Sequence, residues 1–421
     1  MTTLTISAAD GSGRKVGQRE FITLMAALMS LNALAIDAML PALDDIASSF
    51  QIADPNKRQY VVGIYLLATG FGSLVPGLFA DRYGRRPVLF ISMAIYIVTS
   101  LLCMIAPTFE VLLGLRALQG FGTAGLMVLP AAIIRDRFEG DKMARLISMI
   151  FIVFMAVPVL APSVGQAVLV FASWEWIFFT LALFAIAACT WAALRLPETL
   201  DPDHRQKIDP RTVVRNLPLT LRTRAAVGYV LAAGLTFGGM FGYINSAQQL
   251  IGEHFGAAEQ FPLIFGASAA TLAFSSWANS RIVERFGARR VSHTALIAFF
   301  LVSAVQVFAA IEKADSLAWF FPLISINLCL LGFLGANFGS IAMQPFFNSA
   351  GAASSVQSAI RMLLGAAMGI AIGQLYDGTA LPLAMALLIS SVLSLCLVLF
   401  SEKGKLWTRP RQPRYIGESP H

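Results

Sequence analysis

Two residues of this sequence could hold or move charge inside an apolar environment: Asp37 and Arg116, each set within a long hydrophobic run. An ionisable side chain in hydrocarbon is costly, so it normally faces a water-filled cavity or a partner and marks a transport path. Asp37 lies six residues before the end of the run 21–43, and Arg116 six residues after the start of the run 110–134. If these are antiparallel helical spans, both residues sit roughly 9 Å below the same surface at about 1.5 Å per residue. Burial favours the neutral carboxyl and a nearby guanidinium favours the ionised one. That competition suits a group that loads and releases a proton. The alternative is a permanently ionised pair that ties two helices together.

A second cluster looks like a gate rather than chemistry. Gly77, Asp81, Arg82, Gly84, Arg85 and Arg86 fill the hairpin after the second apolar run. Asp81 could pair with arginines or cap the positive end of a neighbouring helix, and Gly84 would supply a positive φ at the tight turn. A plain solvated turn is the bland reading. The acid, Arg, aromatic, Gly and basic order returns 203 residues later as Glu284-Arg285-Phe286-Gly287-Ala288-Arg289-Arg290. Two such repeats related about the membrane normal describe a class of secondary transporters.

The elements that must position these residues follow from composition. The chain has 421 residues, 57% hydrophobic and 13% charged, with a mean hydropathy of +0.70. Soluble proteins carry nearly twice that charge. Twelve helical spans of about 20 residues would use nearly all of the apolar content. The runs fall at 21–43, 60–80, 87–106, 110–134, 146–170, 177–194, 225–250, 261–280, 291–311, 318–344, 358–376 and 381–400. They are too long and unalternating for an outer-membrane barrel. The expected fold is an all-α membrane protein of twelve transmembrane helices in two pseudo-symmetric six-helix bundles. The expected division is an N-terminal bundle at 1–194, a charged linker loop at 195–224, and a C-terminal bundle with its tail at 225–421.

Charge orients the chain. Of the 31 lysines and arginines, 26 fall on the face that would carry both termini, and only Lys57, Arg58 and Lys313 fall on the other. Positive residues accumulate on the cytoplasmic side, so both termini are expected inside. This accounts for the net charge of +7 and pI of about 9.4 without a nucleic-acid partner. The cysteines, Cys103, Cys189, Cys329 and Cys396, all lie in apolar runs and suggest no disulfide framework. Residues 1–20 are polar and carry no cleavable-signal pattern.

Two other signals are declined. Gly120-Phe121-Gly122-Thr123-Ala124-Gly125 matches the dinucleotide fingerprint by letter, but it lies inside an apolar span and follows no strand. No Walker A sequence, HExxH or metal-spaced Cys/His cluster occurs. No cofactor, metal or enzymatic activity is implied.

Over essentially its whole length the sequence resembles the major facilitator superfamily. Gly77-Leu78-Phe79-Ala80-Asp81-Arg82-Tyr83-Gly84-Arg85-Arg86 is similar to its loop 2–3 signature, and Arg116-Ala117-Leu118-Gln119-Gly120 to its span-4 motif. Ala35-Ile36-Asp37-Ala38-Met39-Leu40-Pro41-Ala42-Leu43, Arg135-Asp136, Ala161-Pro162-Ser163-Val164-Gly165 and Asn279-Ser280-Arg281 resemble the bicyclomycin and chloramphenicol/florfenicol exporters, the Bcr/CflA type. Met39 stands where that subgroup often has Tyr, and Val157, Ala161 and Gln166 stand where the wider family favours Gly in span 5.

The resemblance implies efflux of a small amphipathic drug-like compound from the bacterial cytoplasm across the inner membrane, in exchange for protons, by a monomer in the lipid bilayer. It implies that the loop 2–3 cluster latches the outward-open state. Pro158, Pro162 and Gly165 are expected to break or bend span 5, with small residues allowing close approach to a neighbour, and the resemblance implies that this neighbour is span 8. A symporter or uniporter of a small metabolite on the same fold is the alternative. Moving Asp37 by 203 residues lands on Met240, and span 7 holds no acid. Proton coupling is therefore expected in the N half through Asp37 and Arg116. Substrate contacts are expected from Met39, Gln119, Tyr243, Asn245, Gln248 and Asn337. Gly365, Gly369 and Gly373 on span 11 are read as packing.

Overall fold

Apolar segments of this length can cross a bilayer only with every backbone group satisfied internally, which means helices. The computed structural model describes residues 5–7, 15–138, 140–201, 203, 205, 218, 220–311 and 316–407. Most of the linker loop, including Lys207 and Asp209, lies outside the described residues, as do Lys313 and the segment 408–421.

Among the described residues, eleven helices are long and apolar enough to span, and a bent pair makes a twelfth. Span 1 is Gln18–Ser49, span 2 the pair Pro55–Gly72 and Pro76–Tyr83, span 3 Arg85–Cys103 and span 4 Phe109–Arg137. Span 5 is Gly140–Phe171 and span 6 Glu175–Arg195. Spans 7 to 9 are Arg224–His254, Phe261–Phe286 and Ala288–Ile311. Spans 10 to 12 are Leu317–Met343, Ala350–Gln374 and Leu381–Ser401. Two three-residue antiparallel strands, Thr5–Ser7 and Lys15–Gly17, precede span 1 in the polar leader.

Span 2 departs from a straight helix over 60–80. It bends by 44° between Gly72 and Pro76, because Pro76 has no N–H to donate to the preceding turn and its ring crowds that turn. Span 5, by contrast, runs unbroken through Pro158 and Pro162.

The packing repeats between halves. Span 1 lies against spans 4, 5 and 6, and span 7 against spans 10, 11 and 12. Span 2 meets 4, and span 3 meets 4 and 6; likewise span 8 meets 10, and span 9 meets 10 and 12. The halves join through spans 2 with 11 and 5 with 8, contacts that exchange under the same pseudo-twofold. Missing side chains permit the close approaches. A Cβ on Gly120 would collide with the Tyr65 carbonyl, one on Gly122 with Ile95, and one on Gly125 with Ser92. The apparent dinucleotide fingerprint is therefore helix packing. Gly365 and Gly369 lie against Phe237 and Phe241 of span 7, and Gly373 against Gln59 of span 2.

Candidate transport site

Asp37 is the last residue of the helix Gln18–Asp37, after which the chain tightens into a 3-10 turn at Leu40–Ala42. Pro41 causes this. It lacks the N–H that would have bonded the Asp37 carbonyl four residues earlier, so the helical ladder stops beside the carboxyl. Gly165 of span 5 fits against the Ala38 carbonyl and the Pro41 ring. Gly165 thus faces span 1, while span 5 reaches span 8 through Val159 at Gly266. Pro162 is buried and Pro158 half-buried. Asp37 itself is buried, 4% exposed, and its Oδ1 has no hydrogen-bond partner among the described residues. It continues the face of Ala27, Ser30 and Leu34, the half-open stripe of span 1.

Arg116 is fully buried and makes no ion pair with Asp37 among the described residues. Its guanidinium donates in three directions: Nε to the Val61 carbonyl at 3.0 Å, Nη2 to the Ala35 carbonyl at 3.0 Å, and Nη1 to Gln119 Oε1 at 2.5 Å. Gln119 Nε2 in turn donates to Ser100 Oγ at 2.6 Å. The guanidinium carbon lies 4.3 Å from the Tyr65 ring centroid, and the Tyr65 hydroxyl donates to Asn32 Oδ1 at 2.9 Å. Arg116 therefore holds the backbone of span 1 two residues before Asp37 and ties together spans 1, 2 and 4. The sequence reading missed Asn32, Tyr65 and Ser100. A polar residue five positions before an intramembrane acid on the same helix was the available signal for Asn32.

The first hairpin is bonded throughout. Gly84 has φ of +106°, and a Cβ there would strike the Glu198 carboxylate. That carboxylate accepts the Arg85 and Arg86 backbone N–H groups at 2.9 and 3.0 Å, where span 3 begins. An anion is favoured at a helix N-terminus. Arg85 is buried between Asp81 and Asp136, with Nε 2.8 Å from Asp136. Arg82 is exposed, and Gly77 is half-buried with open space beside it. Glu198 was not anticipated; its place just after span 6, beside the basic hairpins, was the signal. The second copy is different, with Glu284 and Arg285 both exposed. There Arg289 carries the ties, to Glu402 at 2.7 Å and Gln344 at 2.8 Å.

This asymmetry predicts unequal mutants. Asp81→Asn removes one of two carboxylates from Arg85 and should slow turnover several-fold, an effect of about 1–3 kcal/mol on the balance of access states. Glu284→Gln should change turnover less than about twofold, as for an exposed charge. Transport rates measured with substrate-binding affinities check this; equal rates, or lost binding in Asp81→Asn, would sink the gate assignment.

The two membrane faces are not equally closed. On the face carrying loop 1–2, Arg58 is 6% exposed and pairs with Asp44 of its own half and Glu253 of the other. Gln248 donates to Asp44 and Gln59 to Gln249. Asn56 donates to the carbonyls of Gln374 and Tyr376 at 3.2 and 2.8 Å. Gln249 donates to Asn56 and Gln374 to the Asn56 carbonyl in the same layer, so the halves are joined there by a group of side-chain hydrogen bonds. On the loop 2–3 face, Asp81 bonds within its own hairpin. The halves are bridged at the first face.

The six residues assigned to a substrate cavity are all buried in this closed-face form. Met39 has no exposure, and Gln119 belongs to the Arg116 network. Tyr243 donates to Ser268 at 3.1 Å and stacks on Phe265 within the C half. Asn245 donates to the Phe241 carbonyl, and Asn337 to Asn279 at 2.8 Å. Gln248 is part of the closed layer. The half-open stripe on span 7 is instead Phe237, Met240 and Ile244, and on span 1 Ala27, Ser30 and Leu34.

Among the described residues, eleven apolar spans and a bent pair in two like bundles, joined on one face around buried charges, have the architecture of a multi-pass membrane transporter. The chain matches the Major Facilitator Superfamily along residues 25–372 and belongs to it. It is 27% identical to the bicyclomycin resistance protein homolog of Haemophilus influenzae over 393 residues, covering 92% of this chain and 98% of that protein. It is also 27% identical to the multidrug resistance protein MdtL of Escherichia coli O157:H7, covering 91% and 96%. Among solved structures, a bacterial homolog of the human lysosomal transporter Spinster, inward-facing and unoccupied, superposes with a TM-score of 0.67 at 15% identity, covering 92% of this chain and 95% of that one. The xylose transporter XylE of E. coli, partially occluded and inward open, gives 0.67 at 13%, covering 91% and 96%. These two establish the fold.

Proposed function

We propose that this protein is a proton-coupled exporter of small amphipathic drug-like compounds that works by alternating access. The observation that carries this reading is Asp37: a buried carboxyl with an oxygen left without a hydrogen bond, at a break in span 1, on the face that continues the half-open stripe. A carboxyl with no fixed cation partner can exist neutral in one access state and ionised in another, which a permanent ion pair cannot. The drug-resistance relatives support the cargo class.

The loop 2–3 face is the cytoplasmic one in this reading, supported by the bias of basic residues. The molecule is then inward-facing, with Arg58, Asp44 and Glu253 closing the outside. It sits in the bacterial inner membrane with both termini inside, its halves divided at 195–224. It works as a monomer without cofactor, catalysis or nucleic acid. A cysteine at Lys57 should react with an impermeant thiol reagent in intact cells, and one at Lys207 should not; the reverse pattern would invert both faces.

A growth-inhibition panel of diverse antibiotics selects compounds for the direct test. Everted membrane vesicles, energised so that the lumen is acidic, then receive each compound. Exchange predicts that the compound enters as protons leave, discharging the gradient. Flux that deepens the gradient would mean symport, and flux that leaves it untouched would mean uniport.

A further inference from the structure

Among the described residues, the buried arginines Arg58, Arg85 and Arg116 all have side-chain or backbone partners, and the half-buried Arg361 differs from them. Arg58 and Arg85 each hold two carboxylates, and Arg116 holds three acceptors. Arg361, near the middle of span 11, is half-buried and has no carboxylate in ion-pair range among the described residues. Among the described residues its side-chain acceptor is Ser358 Oγ at 3.4 Å, long for a hydrogen bond. A cation inside a span without an anion is costly and marks a functional place where an anion can bind.

The surroundings suit an incoming ligand. The guanidinium carbon lies 4.9 Å from the ring centroid of Phe237, part of the half-open stripe of span 7. Stacking on that ring occupies one face of the guanidinium plane and leaves its N–H edge available. Span 10 presents Gly339 beside Nη1 and Gly335 beside Phe237, so the guanidinium and the ring lie against glycines of that span. Arg361 lies on the side of span 11 that faces span 7, with Gly365 and Met368, opposite the Leu363 and Ile370 side that packs on span 2. Substrate sites in transporters built from repeats lie near the midplane between the repeats.

We propose that Arg361 anchors a carboxylate of the transported compound, and that the preferred cargo is an aromatic or amphipathic monocarboxylate whose apolar body lies along Phe237 and Met240. The planar guanidinium edge matches a carboxylate with two parallel hydrogen bonds. The assignment rests on the exporter reading and narrows its substrate class.

The test uses the full chain purified in detergent, with benzoate, 1-naphthoate and dansylglycine each compared with its methyl ester. The wild type should bind at least one acid about tenfold or more tighter than its ester. Arg361→Gln should erase that preference, and Arg361→Lys should keep part of it, since lysine retains the charge without the fork. Equal affinity for acid and ester across the wild-type series overturns the proposal even if no variant folds, as does an undiminished preference in Arg361→Gln. The vesicle assay separates the two readings. Gradient discharge by neutral or cationic compounds with no acid preference leaves the exporter standing and removes this site. An acid preference without discharge by any compound keeps the site and removes proton exchange.

Discussion

Asp37→Asn eliminates proton-driven uphill efflux while the protein still inserts, folds and binds its compounds. The amide keeps the size and shape of the side chain but cannot take or release a proton. Among the described residues Asp37 makes no ion pair, and its Oδ1 has no hydrogen bond to lose. Stability should therefore change by less than about 1 kcal/mol, and downhill exchange of compound for compound should continue. The measurement is uptake into everted vesicles with and without a proton gradient, beside a thermal-unfolding curve. Undiminished uphill transport would falsify the coupling role. Loss of both transport and folding would assign Asp37 to structure instead.

Arg116 should give the larger loss of stability. Arg116→Ala leaves the Ala35 and Val61 carbonyls and Gln119 without their donor at a buried site, at a cost of about 3–5 kcal/mol. Arg116→Lys is the informative variant. A single ammonium cannot reach three acceptors set in three directions, so the backbone beside Asp37 is no longer held. Transport should fall by about tenfold or more, and the lysine variant should resemble the alanine variant in rate more than in stability. Full activity with lysine would reduce the role of Arg116 to charge alone.

What the sequence disclosed and what it hid divide along physical lines. Spans were legible because bilayer thickness sets the length of apolar runs, and the duplicated hairpin exposed the two halves. The bend of span 2 was written in Gly70, Gly72 and Pro76, but a run of apolar residues over 60–80 conceals it. Equal depth brought Asp37 and Arg116 to attention together, yet depth says nothing of rotation about each helix. The structure directs Arg116 to the backbone of Ala35 rather than to the carboxyl. The hairpin arginines were legible as a motif, whereas Glu198 joins them from more than a hundred residues away. The closing layer of Asp44, Arg58 and Glu253 was hidden for the same reason, since each alone looks like an ordinary loop charge. Amides such as Tyr243's neighbour Asn245 drew notice as polar groups in a span; their roles in helix packing depend on contacts no spacing reveals.

The most direct measurement is proton release on binding. Purified protein in weakly buffered detergent near neutral pH is mixed with a compound chosen by the growth panel, and the pH change is followed alongside binding. Proton exchange through Asp37 predicts that the wild type releases protons as the compound binds, and that Asp37→Asn binds the compound and releases none. Binding to the wild type without proton release, or equal release by Asp37→Asn, would contradict the account.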